Sequence, residues 1–142
     1  MAMRLHIIAR GKIGRSPESE LVDRYLKRIS WPTRHSELPD RGGDLPASDS
    51  PHKTIMMDEK GGQMSSVELA RLLERWRDDG VREVRFLIGA ADGFDDTARA
   101  GADRLITFGK ATWPHLMARV MLAEQLFRAT SIIANHPYHR EG

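Results

Sequence analysis

The stretch SSVELARLLERWRDDGVREVRFLIGAADG, Ser65 to Gly93, decides the fold class. Ser65 and Glu68 have the spacing of a capping box, in which each side chain satisfies an orphan backbone N–H at a helix start. Leu69, Leu72, Leu73 and Trp76 then recur at steps of three and four, so they share one helical face. Gly80 ends that helix. Val84 to Ile88 is a short apolar run rich in strand formers, and it leads straight into Gly89-Ala90-Ala91-Asp92-Gly93. A helix followed at once by a buried-looking strand is half of a βαβ unit, and the rest of the chain repeats the alternation.

Arg4 to Ala9 reads as a first strand that turns at Gly11. Ser16 caps a helix whose first residue is Pro17, and Leu21, Val22, Tyr25, Leu26 and Ile29 line its inner face. Pro32 to Pro51, with four prolines and the pair Gly42-Gly43, reads as one long loop. Thr54 to Met57 is a strand that stops at Asp58-Glu59-Lys60-Gly61-Gly62. Phe94 to Ala102 supplies a short helix, and Leu105 to Phe108 another strand. Gly109 to Pro114 bridges to an apolar helix around Leu116 to Ala129, and a final strand is expected near Ser131 to Ala134. The expectation is a single α/β domain over residues 1–142 with a largely parallel sheet. A chain of this length buries roughly two-thirds of its unfolded surface.

In open sheets of this kind, ligands sit beyond the carboxyl ends of the strands. Three such ends carry glycine here: Asp58 to Gly62, Gly89 to Gly93, and Gly109. Neither GxGxxG nor GK[ST] is present, so the glycines do not spell a dinucleotide or Walker loop. They suit a nucleoside-like ligand held by backbone groups, or tight turns alone. Asp92 either orients such a ligand or caps the next helix. Thr112 is placed to cap the apolar helix and Pro114 to start it. That helix is apolar around most of its circumference, as expected of a helix covered on more than one side, either by the core or by a second subunit. Arg119, Glu124 and Arg128 interrupt it, each as a paired structural ion or a ligand contact.

The tail Asn135-His136-Pro137-Tyr138-His139-Arg140-Glu141-Gly142 gathers two imidazoles, a phenol, a guanidinium and a carboxylate. Tyr138 and Arg140 offer ring stacking and phosphate contacts, while His136 and His139 bring imidazoles, the side-chain type able to move a proton near neutral pH. Other classes of function are excluded or weakened by composition. There are no cysteines, hence no disulfides, thiol catalysis or thiolate metal sites. No HExxH or similar ligand spacing points to a metal, and no apolar run is long enough for a membrane span. The start, Met1 to Arg10, does not read as a secretory signal, so the expected location is the cytoplasm. A net charge of +2 is a weak argument for nucleic acid, although Arg10, Lys12, Arg15, Arg24, Lys27 and Arg28 make the first thirty residues basic.

Leu105 to Glu141, LITFGKATWPHLMARVMLAEQLFRATSIIANHPYHRE, resembles the end of the ribosomal RNA large subunit methyltransferase H family within the SPOUT superfamily. RLHIIARGK, YLKRI, MMDEKGGQMSSVELA and FLIGAADGF extend the likeness over nearly the whole chain. The resemblance implies an S-adenosyl-L-methionine-dependent enzyme that methylates N3 of a pseudouridine in helix 69 of 23S ribosomal RNA, on the assembled 70S ribosome. It implies a SPOUT-type sheet with a C-terminal trefoil knot, and a homodimer in which one subunit's knot holds the cofactor and the partner's surface completes the substrate site. By likeness, Met57, Gly89, Gly109, Lys110, Ala111, Thr112, Trp113 and Pro114 line the cofactor pocket. Likewise His136, Tyr138, His139 and Arg140 lie near methyl transfer, with no metal and no membrane involved. His139 is one candidate to assist loss of the N3 proton and His136 the other; Tyr138 is a candidate to stack on the base, and Arg140 to steady negative charge.

Three departures from the family pattern stand out. Ala90 follows Gly89 where a second glycine is usual, Phe127 replaces a tyrosine, and the segment between Gly42 and Lys53 is short. Two other readings are a knotted relative that acts on transfer RNA, and a non-catalytic RNA-binding protein.

Overall fold

The structure, a computed structural model, describes residues 3–89 and 95–139. Five strands form one sheet: β1 (Arg4–Arg10), β2 (Thr33–Leu38), β3 (His52–Gln63), β4 (Glu83–Ile88) and β5 (Arg104–Thr107). The helices are α1 (Pro17–Arg28), α2 (Ser66–Asp78), α3 (Asp96–Ala100) and α4 (His115–Ile133). The strand order is β2-β1-β4-β3-β5, and every pairing is parallel. The α/β reading with a parallel sheet therefore holds. Both sequence-marked caps form: Ser16 accepts the Ser19 N–H, and Ser65 and Glu68 close their box in both directions.

The alternation of side chains along each strand sorts the core into two unequal parts. Ile7, Ile55 and Phe86 face the larger cluster with α1, α2 and α4, whereas their neighbours Ile8, Met56 and Leu87 pack with Ala98 and Leu105 in a smaller one. β4 is buried along its whole length, as expected for a central parallel strand covered on both faces.

Three sequence expectations are corrected. The Pro32 to Pro51 loop contains β2, an edge strand framed by Pro32 and Pro39, where proline leaves no interior ladder bond unmade. Asp58 to Gly62 is not a loop after a strand but part of β3, which bulges between Met57 and Gly62 while Ile106 of β5 pairs with both. Gly61 permits this approach, because a Cβ there would lie 2.6 Å from the Ile106 nitrogen. Asp58 is buried at the bulge, accepting from Arg99 Nε at 2.7 Å and from the Lys60 N–H at 2.8 Å. Burial alone would raise its pKa, but these bonds outweigh it and hold the carboxyl below the usual range. Finally, the expected strand at Ser131 to Ala134 is the last turn of α4.

Two buried charges fix the sheet to its surroundings. Arg119 of α4 is fully buried. It donates to Glu37 Oε2 at 2.5 Å, to the carbonyls of Arg10 and Gly11 at 3.0 and 2.8 Å, and toward His35 Nε2 at 3.4 Å. Burial and the neighbouring Arg119 cation both lower the His35 pKa, so its ring accepts that proton as a neutral imidazole. On the opposite sheet face, His6 is buried with Nε2 2.7 Å from Ser36 Oγ. Arg85, also buried, donates to the Pro46 carbonyl and thereby ties the proline-rich loop to β4.

His6 makes stability depend on pH. Burial lowers its pKa from 6.5 to about 4, despite the Glu83 carboxylate 3.7 Å away. Within that window the unfolded chain binds a proton that the folded chain refuses, so stability falls as pH falls. At about 1.4 kcal/mol per unit, the loss is at most roughly 3 kcal/mol. Urea midpoints measured between about pH 7 and about pH 4.5 should show this decline, and His6→Gln should flatten it. An unchanged slope in the variant would assign the acid sensitivity elsewhere.

Candidate functional site

β3, β4 and β5 end near one another. Met57 pairs with Ile88 and with Ile106, which puts Gly89 and the Thr107 to Gly109 turn beyond adjacent strand ends. Gly109 has φ +115°, a conformation open to glycine and strained for residues with a Cβ. Its carbonyl accepts from Thr107 Oγ1 at 2.7 Å, which pins the turn. Among the described residues, a Cβ at Gly109 would meet nothing within 4 Å, which leaves space beside its backbone.

That space is a cleft of about 490 Å³ between the β3–α2 junction, the Gly109 turn and α4. Met64, Phe108 and Met121 give it apolar walls, while Gln63, Ser66 and Gln125 give it amide and hydroxyl groups. Ser66 Oγ donates to Gln125 Oε1 at 2.6 Å, joining the start of α2 to the middle of α4. Its size lies within the range typical of small-molecule sites, roughly 300–1,000 Å³.

Of the residues expected to hold a cofactor, Gly109 lines this cleft. Lys110, Ala111, Thr112, Trp113 and Pro114 continue from it as an exposed segment, with Trp113 45 % accessible. Pro114 is the N-cap of α4, and among the described residues no side chain caps that helix, so Thr112 does not take the expected role. Met57 is half-buried against the main core. Gly89 sits at the end of β4 beside residues 90–94, so Ala90 and Asp92 lie outside the described residues. The cap of α3 is Asp95, which accepts the Ala98 N–H at 2.8 Å.

The tail is aimed by a helix stop. Asn135 has φ +58°; its N–H bonds to the Ile132 carbonyl at 3.1 Å, and the His136 N–H bonds to the Ser131 carbonyl at 2.8 Å. This is a Schellman turn with asparagine in the left-handed position and proline just after it. It folds the chain back so that the Tyr138 ring packs 4.5 Å from that of Phe127. Guanidinium groups lie near the same ring, Arg128 at 4.8 Å and Arg28 of α1 at 5.6 Å. Burial, then the charge of Glu124, push the Tyr138 phenol above its ordinary pKa, so it remains protonated at neutral pH.

The exceptions along α4 are resolved as paired ions. Glu124 Oε1 accepts from Arg128 Nε at 2.6 Å, the i,i+4 geometry of a helix pair, and Arg128 Nη1 lies 3.2 Å from His139 Nδ1. Glu124 also lies 3.5 Å from Gln125 Nε2, so polar side chains run from the cleft to the tail. The structure thus brings Tyr138 and His139 together with Arg128. His136 is exposed, and its Nδ1 accepts the Tyr138 N–H at 3.2 Å. Arg140 lies outside the described residues. Arg28, Ser66 and Gln125 were not singled out from sequence as members of a site. The i,i+4 spacing of Glu124 and Arg128 was the available signal for their pair.

Residues 3–139 match the family model described as "Predicted SPOUT methyltransferase". The chain belongs to this family. It is 69 % identical over 140 residues to the ribosomal RNA large subunit methyltransferase H of Sphingopyxis alaskensis, covering 99 % of both chains. The protein of the same name from Rhizorhabdus wittichii is also 69 % identical, with 99 % of this chain and 100 % of that one covered. Among solved structures, a probable methylase family protein from Haemophilus influenzae shares the fold at a TM-score of 0.63 and 10 % identity, over 98 % of this chain and 70 % of that one. A probable methyltransferase from Bordetella pertussis does so at 0.61 and 13 %, over 90 % and 95 %.

The Schellman turn of this SPOUT chain is directly testable. Asn135→Gly should retain stability, whereas Asn135→Val, β-branched at positive φ, should cost about 1–2 kcal/mol. Thermal unfolding reads the cost, and faster hydrogen exchange at the His136 amide reads the loosened tail.

Proposed function

We propose that this chain is a methyltransferase that uses S-adenosyl-L-methionine to methylate N3 of a pseudouridine in helix 69 of 23S ribosomal RNA, on the assembled 70S ribosome. The observation that carries the reading is 69 % identity, over nearly the full length of both chains, to proteins named ribosomal RNA large subunit methyltransferase H. In this reading the chain is a single SPOUT domain with a C-terminal trefoil knot, acts as a homodimer, and works in the cytoplasm.

The cleft suits the cofactor by its chemistry. An adenosyl group with an amino-acid tail needs apolar walls, backbone hydrogen-bonding groups and a few polar side chains. Phe108 and Met121 supply the first, the Gly109 turn the second, and Gln63, Ser66 and Gln125 the third. Gly89, Met57 and the exposed Lys110 to Pro114 segment complete the proposed cofactor site. When bound, the cofactor supplies a sulfonium methyl group open to displacement by an in-line nucleophile.

The tail then has two tasks: to orient the base and to favour loss of its N3 proton. Tyr138 cannot serve as a phenolate base near neutral pH, since burial and Glu124 keep it protonated. It is held instead as a ring and hydroxyl beside Arg28 and Arg128. These two guanidiniums form a positive surface suited to an RNA phosphate or to negative charge on the base. His136, His139, Tyr138 and Arg140 constitute the proposed transfer site.

The reading is tested with labelled S-adenosyl-L-methionine and, as acceptors, 70S ribosomes, isolated subunits and transfer RNA, all from cells lacking the modification. Label on N3 of the helix 69 pseudouridine, greatest with 70S particles, is expected. Label on transfer RNA would overturn the substrate, and absence of both label and cofactor binding would overturn the enzymatic reading.

A further inference from the structure

We propose that Arg24, Lys27 and Arg28, on the exposed side of α1, form the surface that receives the RNA backbone beside the methylated nucleotide, with Arg28 as its anchor. The inference rests on the proposed reaction and names where the RNA strand that enters it is held.

The surface begins with spacing. Positions 24, 27 and 28 lie three and four residues apart, so the three cations share one side of α1, and all three are exposed. The other side of that helix faces the core through Val22, Tyr25 and Leu26. Glu20 and Asp23 stand one turn before Arg24 and Lys27, the same spacing at which Glu124 and Arg128 of α4 do pair. Among the described residues, however, none of the three α1 cations forms a salt bridge or a side-chain hydrogen bond. Lys27 and Arg28 also complement the negative end of the α1 dipole, a role that engages none of their N–H groups.

Arg28 is held without being neutralised. Its guanidinium carbon lies 4.4 Å from the Phe127 ring centroid and 5.6 Å from that of Tyr138. A planar cation resting on rings is oriented by them while its N–H edge stays available, which prepares it for bidentate contact with a phosphate. Arg99, Arg119 and Arg128 differ, because their donors bond to Asp58, to Glu37 and two carbonyls, and to Glu124.

The position of the surface identifies its ligand. Tyr138, beside Arg28, belongs to the proposed transfer site, and a nucleotide presented to the tail brings its flanking phosphates to the end of α1. Contacts of this kind fix the register of a strand without reading its bases.

The surface is tested by co-sedimentation of cofactor-free protein with 70S ribosomes from cells lacking the modification, over a series of salt concentrations. Arg28→Gln should weaken binding about tenfold, and Arg28→Lys less. Replacing Arg24, Lys27 and Arg28 together by glutamine should lower the slope of log K against log salt by about two to three. In methyl transfer the same variants should raise KM for ribosomes and largely keep kcat, with affinity for S-adenosyl-L-methionine unchanged. Arg24→Gln removes no side-chain contact within the described protein, so its weaker binding cannot be assigned to a loosened tail. Arg75→Gln, which removes an equal charge from an exposed arginine of α2, should leave binding as it is. An unchanged slope in the triple variant, an equal loss in Arg75→Gln, or a parent that does not bind ribosomes would overturn the proposal. A parent that binds ribosomes without methylating them would count against the reaction and leave the surface standing.

Discussion

A guanidinium with no exposure to solvent must be paired, and the pairing of Arg119 organises this molecule. An unpaired charge at that depth would cost several kcal/mol. Arg119 instead finds Glu37 on β2, the Arg10 and Gly11 carbonyls at the end of β1, and the neutral His35 ring. Glu37 in turn accepts the Ile13 N–H at 2.7 Å, and the bonds it receives outweigh the burial that would raise its pKa. One side chain on α4 therefore sets where the sheet edge and the basic turn after β1 stand against the helix. Everything else that α4 presents is positioned from that anchor: Met121 and Gln125 to the cleft, Glu124 and Arg128 to the tail.

The second constraint is the close approach of β3 and β5. Gly61 lies where any side chain would meet the β5 backbone, and Asp58 fills the bulge with a carboxylate bonded to Arg99 of α3. The bulge lets β3 pair with Ile106 twice and still deliver Gln63 and Met64 to the cleft rim. A turn at Asp58 to Gly62 would have ended the strand early and left β5 with a shorter partner. The polar run is thus a device for extending an inner strand past a tight crossing.

What could be read from the residues follows the range of the forces involved. The caps at Ser16 and Ser65, the apolar face of α2 and the continuous run of β4 are local signals, and all were legible. β2 was hidden because its bracketing prolines announce loop, while its strand character depends on pairing with β1 across the intervening helix. The Asp58 to Gly62 segment misled for the same reason, since both Gly61 and Asp58 answer to partners about forty residues away. At Ser131 to Ala134 the β-branched pair Ile132-Ile133 suggested a strand, but Asn135-His136-Pro137 carries a helix stop. At the site, the glycine at 109 and the tail were visible as chemistry. The partners that define their roles, Arg28, Ser66 and Gln125, are ordinary surface types whose importance arises only from the fold.

The cleft and the tail are two faces of one helix, and this has a mechanical consequence. From Ser66 to Gln125, Glu124, Arg128 and His139, each polar side chain meets the next, through contacts of 2.6, 3.5, 2.6 and 3.2 Å. The 3.5 Å step is the weak joint; the others are short enough to hold orientation. Because α4, anchored through Arg119, carries both Gln125 and Arg128, the tail imidazole and the cleft share one frame. The cleft wall and the tail support are thus built from successive side chains of a single helix.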